Sequence, residues 1–474
     1  MNINKTYKLN LKVLSPLAIN DGNELSPLSD YFVDNGKVHY IDPEKFLQLL
    51  ANDNRLSAEY ENIALCDYSK IKDYSLNLIK SIIKDEQKLK NITKEYAVNY
   101  KGAASKLINL KTIIKVNDSP YIPGSSIKGA IKNALFFYWL SSTGEGKKEL
   151  NGYIEKISAL RAVEKKEDFI KNISKNFRPI ENSFLGICDG ILKQPSSNLV
   201  ITDSSYFDIS QIAVDELKRK TLTQGIDDWT LNLQEYVKPD DQKTVSFELK
   251  IKTSSLDWQG SNKENFLANL FKNESQQNLK ELFDILNFYT REIINAVEKI
   301  FSIKYPPFSL NDNEALLLLG SNKGILATSI IYLLQKNMQL DVFENKVINN
   351  LFHKTFDRLN SNLVTSKKNF PISVSYIDGM PLGLVKIIDN INDYPSNLPS
   401  YTEEECYSGN PIKAKLLEKK KPHAKMLIIM EGKEEKVDVA GIKTFERDNS
   451  TQLIENQIYE IYYNSGIFNF NKKI

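Results

Sequence analysis

Between Thr6 and Leu14 the chain alternates Tyr7, Leu9, Leu11 and Val13 with Lys8, Asn10 and Lys12. That period of two belongs to a half-buried strand and commits the N-terminus to a sheet with one covered face. Ser15-Pro16 ends the strand, and Asp21-Gly22 supplies turn chemistry. Residues 37 to 41 read as a second strand, and Asp42-Pro43-Glu44 as a helix start with a capping acid and a proline in its first turn. Residues 56 to 98 read as mostly helical and 126 to 140 as an apolar helix. Asn198 to Phe207 and Thr244 to Thr253 read as strands, and Leu279 to Phe301 as an amphipathic helix stopped by Pro306-Pro307. An apolar strand at Ala315 to Leu319 runs through a glycine loop into a helix over 325 to 335, and Val374 to Ile377 and Leu382 to Ile388 close as strands. Strand, helix, two strands, helix, strand is the order of a ferredoxin-like unit. The expected fold class is therefore α+β. It has such a core over residues 1–395, with long, mainly helical insertions at about 52–115, 145–195 and 208–243.

Beyond this core the composition changes. Asn390 to Pro411 is rich in Asn, Pro, Ser and Glu and reads as a linker. Met426 to Met430, Lys436 to Val439 and Ile458 to Tyr463 read as short strands separated by turns such as Glu431-Gly432. Residues 396–474 are thus expected to be a linker and a small appended β-rich domain, a barrel or a sheet.

Composition removes several function classes. A length of 474 residues with 41% hydrophobic content suits two or three domains or one heavily inserted domain, not a disordered chain. No apolar run approaches the roughly 18 residues that span a bilayer, and Met1 to Lys5 lacks the apolar core of a secretion signal. The expectation is a cytoplasmic protein with no membrane partner. Cys66, Cys188 and Cys406 are far apart, and His39, His353 and His423 lie near neither each other nor a cysteine. No zinc-ligand spacing or disulfide framework follows, so no metal and no cofactor is expected.

Two segments suit anion contact. In Tyr121-Ile122-Pro123-Gly124-Ser125-Ser126-Ile127-Lys128-Gly129-Ala130, proline and glycine make a turn and the serines are placed to cap the helix that follows. A lysine in a first helical turn opposes the helix dipole, unless an external anion such as a phosphate sits at the cap. Gly129 would admit a close approach, and Lys132 lies one turn further on. Gly124 and Gly129 have the spacing of a nucleotide-binding P-loop, but Lys128 precedes the second glycine, so an NTPase reading fails. An ordinary capped core helix would show the same local pattern. The second segment, Gly320-Ser321-Asn322-Lys323-Gly324, joins a strand to a helix and could present backbone N–H groups to a phosphate, with Lys323 adding charge. A plain strand-to-helix turn explains it equally well.

The net charge of +2 conceals local excesses. Residues 101–132 hold six lysines against Asp118, and residues 411–425 hold six against Glu418. The rest of the chain is acidic. A lysine run is commonly a solvated face, but two basic windows beside two anion-ready turns fit a phosphate-backbone ligand.

Ile122 to Gly129 resembles the signature of the RAMP proteins, RNA-binding subunits of CRISPR effector complexes. In that family it opens the first helix of a ferredoxin-like, RRM-like unit. Leu14-Ser15-Pro16-Leu17-Ala18-Ile19 with Asp21-Gly22 is similar to the family's opening strand and turn. Leu199 to Ser204 resembles its central strand, Leu319 to Gly324 its glycine-rich loop, and Pro381 to Lys386 its closing strand. Within the family, the combination most resembles the fifth-subunit group of type III-A (Csm) complexes.

That resemblance implies a non-catalytic crRNA-binding subunit in antiviral defence and crRNA maturation, capping the backbone filament near the crRNA 3′ end. Its implied partners are crRNA, other Csm subunits (especially the repeated backbone subunit), and possible target RNA and a recruited host nuclease. The RNA-contacting residues would be Gly124, Ser125, Ser126, Lys128, Gly129, Lys132, Gly320, Ser321, Asn322, Lys323 and Gly324. Two alternatives remain open. A ribonuclease of the same superfamily would need His39 as general base, or Asp30 or Asp34 in a metal-dependent cut. A protein-interaction subunit would make no RNA contact at all.

Overall fold

The structure is a computed structural model that describes residues 4–65, 76–103, 108–160, 166–185, 199–221, 229–240, 242–252, 266–272, 277–327, 330–349, 373–389, 400–420, 423–431, 433–448 and 458–473. Cys66, Cys188 and His353, named above, lie outside the described residues, as do Lys106 and Lys421 of the two basic windows. The chain divides into two compact units, Met1–Asp389 and Asn390–Ile474.

The first unit is built on a five-stranded antiparallel sheet. Its strands are β1 (Asn4–Val13), β2 (Leu199–Ile201), β3 (Val245–Lys252), β4 (Glu314–Leu318) and β5 (Leu384–Asp389). They lie in the order β4-β5-β1-β3-β2. Without the edge strand β4 this is the ferredoxin-like arrangement, in which the closing strand and the third strand flank the first. Register pairs Leu9 with Phe247 and Leu11 with Val245 on one side of β1, and Leu11 with Ile387 on the other. Leu9 and Leu11 are fully buried, as the N-terminal alternation requires. Truncating either to alanine costs about 2–5 kcal/mol, as for other buried leucines.

Two helices pack with this sheet, α1 (Gly124–Ser142) and α2 (Gln277–Phe301). α2 also covers the edge at β4. The Asn287 amide donates to the Glu314 carbonyl at 3.0 Å and accepts from the Leu316 N–H at 2.7 Å, while the Thr290 hydroxyl donates to the Leu316 carbonyl. These bonds satisfy backbone groups that an open edge would leave for another chain.

A second, nine-stranded sheet belongs to the same unit. It corrects two expectations. The segment expected to be helical through residue 98 turns into a strand, Thr93–Tyr100, after its helices end at Ile92. Tyr96, Val98 and Tyr100 alternate there at period two, with Ala97 and Asn99 between them, a signal too short to stand out after Lys94 and Glu95. The insertion at 208–243, expected to be helical, is an antiparallel pair, Ile212–Thr221 with Trp229–Val237. Its apolar alternation is broken by Glu216 and Glu235, which are buried. Smaller differences follow the same logic. The helix expected from 325 begins at Ile331, and only Leu199–Ile201 of the segment ending at Phe207 is regular strand.

In the second unit, β6 (Ile412–Lys420), β7 (His423–Met430), β8 (Lys433–Ala440), β9 (Ile458–Asn464) and β10 (Ile467–Lys473) close on themselves, with α3 (Ile442–Asp448) between β8 and β9. Successive pairings run β6-β7-β8-β10-β9 and back to β6; all are antiparallel except β8 with β10. Ala414, Leu416, Met426, Ile428, Phe445 and Phe470 fill the interior. Part of the segment expected to be a linker is structured. Ser400–Tyr401 pairs with β7, and Glu403–Tyr407 is a short helix opened by a Thr402–Glu405 capping box.

Candidate functional site

The head of α1 is held by an extended crossing. The Ser204 N–H donates to the Ile122 carbonyl at 2.9 Å, the Ile122 N–H donates to the Ser204 hydroxyl at 2.9 Å, and the Phe207 N–H donates to the Pro120 carbonyl. α1 then starts two residues earlier than capping by Ser125 would require. Pro123 is its N-cap, so Ser125 and Ser126 lie inside the first turn and cap nothing. The capping group comes from elsewhere in the sequence. The Gly124 N–H donates to Asp203 Oδ1 at 2.8 Å. A Cβ at Gly124 would stand 2.3 Å from the Ile201 carbonyl oxygen, so this glycine serves the contact between α1 and the end of β2.

The outer side of the same turn is different. Ser125 and Gly129 are exposed, and Ser126, Lys128 and Lys132 are half-buried. A Cβ at Gly129 would meet nothing within 4 Å, so no internal packing explains a glycine there. Burial lowers the Lys132 pKa, and the nearby Glu181 charge acts in the opposite direction. An aromatic pair that the sequence did not announce lies alongside. Tyr206, which is 59% exposed, meets Tyr121 edge-on, with ring centroids 6.1 Å apart. Next to Lys132, Asn133 donates to the Tyr289 hydroxyl and to the Ala327 carbonyl, tying α1 to α2 and to the segment after Gly324.

The loop at 320–324 faces largely inward. The Leu319 N–H donates to the Gly383 carbonyl at 2.8 Å, the Ser321 N–H to the Ala18 carbonyl at 2.6 Å, and the Gly383 N–H to the Pro16 carbonyl at 2.9 Å. Gly320 has a φ of +81°, and a Cβ there would lie 2.4 Å from the Ala18 oxygen. The Ser321 hydroxyl accepts from the Asn20 N–H at 3.4 Å. Instead of reaching outward, the Lys323 ammonium donates to the Leu318 carbonyl at 3.1 Å, and burial lowers its pKa. Asn322, at φ +62°, and the exposed Gly324 form the outer part of the turn. Three motifs scattered along the sequence, 14–18, 319–321 and 381–384, are thus interlaced by backbone bonds.

The nuclease candidates sit on the second sheet. His39 faces Phe32 across a strand pair and stacks on its ring at 4.9 Å. Burial lowers its pKa, with Asp34 acting against that shift. The Asp34 carboxylate pairs with Lys80 at 2.6 Å. Asp30 accepts from the Ser26 N–H and the Ser29 hydroxyl, closing the turn before the hairpin. Among the described residues there is no cluster of three or more His, Cys, Asp or Glu able to hold a metal ion.

Folding also redistributes the first basic window. Lys115 is drawn to the fully buried Glu235 at 2.6 Å, and Lys101 lies 3.7 Å from Asp378. Glu235 further accepts from the Ile113 N–H and the Tyr40 hydroxyl. The surplus counted along the sequence is therefore not one continuous basic face.

Comparison with known proteins places this geometry. A family model, the RAMP superfamily, matches residues 10–474. The protein named "CRISPR system Cms protein Csm5" from Methanocaldococcus jannaschii is 26% identical over 351 residues, covering 72% of this chain and 77% of that one. Two solved structures share the fold. A chain of a Csm-crRNA-target RNA ternary complex from a type III-A CRISPR-Cas system aligns with a TM-score of 0.55 at 21% identity, covering 81% of this chain and 100% of that chain. The crystal structure of T. onnurineus Csm5 aligns with a TM-score of 0.53 at 20% identity, covering 79% and 99%. Among the described residues no helix is long and apolar enough to cross a membrane.

Proposed function

The chain belongs to the RAMP superfamily, and from that premise we propose that it is a crRNA-binding subunit of a type III-A Csm complex that does no chemistry itself. In this reading it caps the backbone filament near the crRNA 3′ end, beside the repeated backbone subunit. Target RNA and a recruited host nuclease are further proposed partners. The observation that carries it is Gly129. A glycine inside a helix costs about 1 kcal/mol against alanine, and this one faces open space with Lys128 and Lys132 on the same helix. A ligand backbone passing close to α1 gives that glycine a purpose. Ser125 and the two lysines would meet phosphate oxygens, and Tyr206 would meet a base. Phosphate contacts fix position without reading sequence, which suits a subunit that must accept any guide.

The loop at 320–324 has a narrower part in this reading. Gly320, Ser321 and Lys323 are turned toward the protein, so its proposed RNA contact falls to the outer part of the turn, Asn322 and the exposed Gly324. The test is binding of a crRNA-length single strand across a salt series. Each lost phosphate contact lowers the logarithmic salt slope by about 0.7 on single strands. Lys128→Glu is expected to weaken binding and flatten that slope. Affinity indifferent to both salt and Lys128→Glu would refute the reading. Copurification with backbone subunits and bound RNA tests the assembly.

A further inference from the structure

The second unit adds something that the RNA contact on α1 does not include. Its pairing cycle β6-β7-β8-β10-β9, the parallel closure of β8 on β10, and a helix between the third and fourth strands of the barrel define an OB-type barrel. Such barrels take oligonucleotides on the outer face of their second and third strands, here β7 and β8. A fold alone does not assign a ligand, so the side chains must carry the argument.

They converge on that face. The second basic window, 411–425, falls on β6 and β7. Alternation sends Ala414, Leu416, Ala424, Met426 and Ile428 into the core, leaving Lys413 and Lys425 exposed on the outside. On β8, Lys436 is exposed and lies across from the buried Leu427. Lys419 is drawn off to Glu446. Lys413, Lys425 and Lys436 form no ion pair among the described residues. Glu418 and Asp438 stand on either side of Lys425 in one row across β6, β7 and β8. We infer that this barrel is a second grip on single-stranded RNA, seated on the outer face of β7 and β8. Lys425 and Lys436 hold the phosphate backbone there, and Glu418 and Asp438 moderate its strength.

The experiment uses the full chain and an unstructured oligouridine carrying 4-thiouridine, with photo-cross-linked peptides mapped by mass spectrometry. Cross-links are expected on β7 and β8. The double variant Lys425→Glu/Lys436→Glu should reduce them at least tenfold, while Lys443→Glu on α3, an exposed lysine away from that face, leaves them intact. Glu418→Gln with Asp438→Asn should increase them. The inference is overturned if cross-links appear on α1 but not on the barrel. It is equally overturned if the double variant behaves like Lys443→Glu, or if a protein subunit rather than RNA protects this face. Cross-links on the barrel with none on α1 would leave this inference standing and remove the proposed contact at Gly129.

Discussion

The backbone N–H of Gly124 donates to the Asp203 carboxylate at 2.8 Å, so the positive end of α1 already holds an anion supplied by its own chain. An RNA bound as proposed would therefore have to use the exposed flank of this helix instead of its tip. Asp203→Ala is expected to destabilise the protein by about 1–2 kcal/mol, the loss of a charged cap, and Asp203→Asn by less. Gly124→Ala should cost about 2–3 kcal/mol through overpacking, because its Cβ would press on the Ile201 carbonyl. Urea unfolding measures both. RNA affinity per folded molecule should survive Asp203→Asn; if it vanished, the carboxylate would have a role beyond capping.

Gly129 gives the opposite pattern. With open space at its Cβ, Gly129→Ala should raise stability by about 0.5–1 kcal/mol, the helix-interior penalty of glycine. The same methyl would stand between α1 and a ligand backbone, so RNA affinity should fall by roughly tenfold, about 1.4 kcal/mol. Unfolding curves and fluorescence anisotropy on the same preparation separate the two effects. A variant that is more stable and binds unchanged would leave the glycine without a functional reason.

Lys115 lies within 2.6 Å of Glu235, whose side chain is fully buried. Removing one member of a buried ion pair leaves an uncompensated charge, at a cost of about 3–5 kcal/mol. Lys115→Met should therefore lower the thermal midpoint strongly. Lys115→Met combined with Glu235→Gln should recover part of the loss, because the amide oxygen can accept from the Ile113 N–H while its NH2 donates to the Tyr40 hydroxyl. Additive losses in the double variant would contradict this coupling.

Glu235 also shows where sequence reading stops. Strand periodicity assumes that polar residues face water, and a glutamate buried with three donors violates that assumption within its strand. The hairpin containing it was therefore expected to be helical. By contrast, β1, β3 and α2 were legible because their apolar residues recur at an unbroken period, and α1 because it carries a long apolar run from Ala134 to Leu140. At the site, Ile122 to Gly129 was legible as a turn leading into a helix. Its cap was not, because Asp203 is 79 residues away and its contact with Gly124 exists only after β2 and α1 pack. Lys323 misled for a related reason. A lysine beside two glycines suggests outward charge, yet the interlacing of Gly320 and Gly383 turns its ammonium back to Leu318.

His39 supplies a pH-dependent prediction. Burial against Phe32 lowers its pKa below the ordinary 6.5; Asp34 opposes that shift, and Lys37 and Lys80 reinforce it. In the window between the lowered value and 6.5, the unfolded chain binds more protons than the folded one. The imidazole's contribution to stability is thus complete above 6.5 and is lost as pH falls through the folded pKa. His39→Phe keeps an aromatic ring for stacking and removes the titration. The difference in unfolding free energy between wild type and His39→Phe, measured from pH 7.5 down to 5, should shift in favour of the variant as pH falls. A constant difference across that range would show that the imidazole is protonated as readily in the fold as in the unfolded chain.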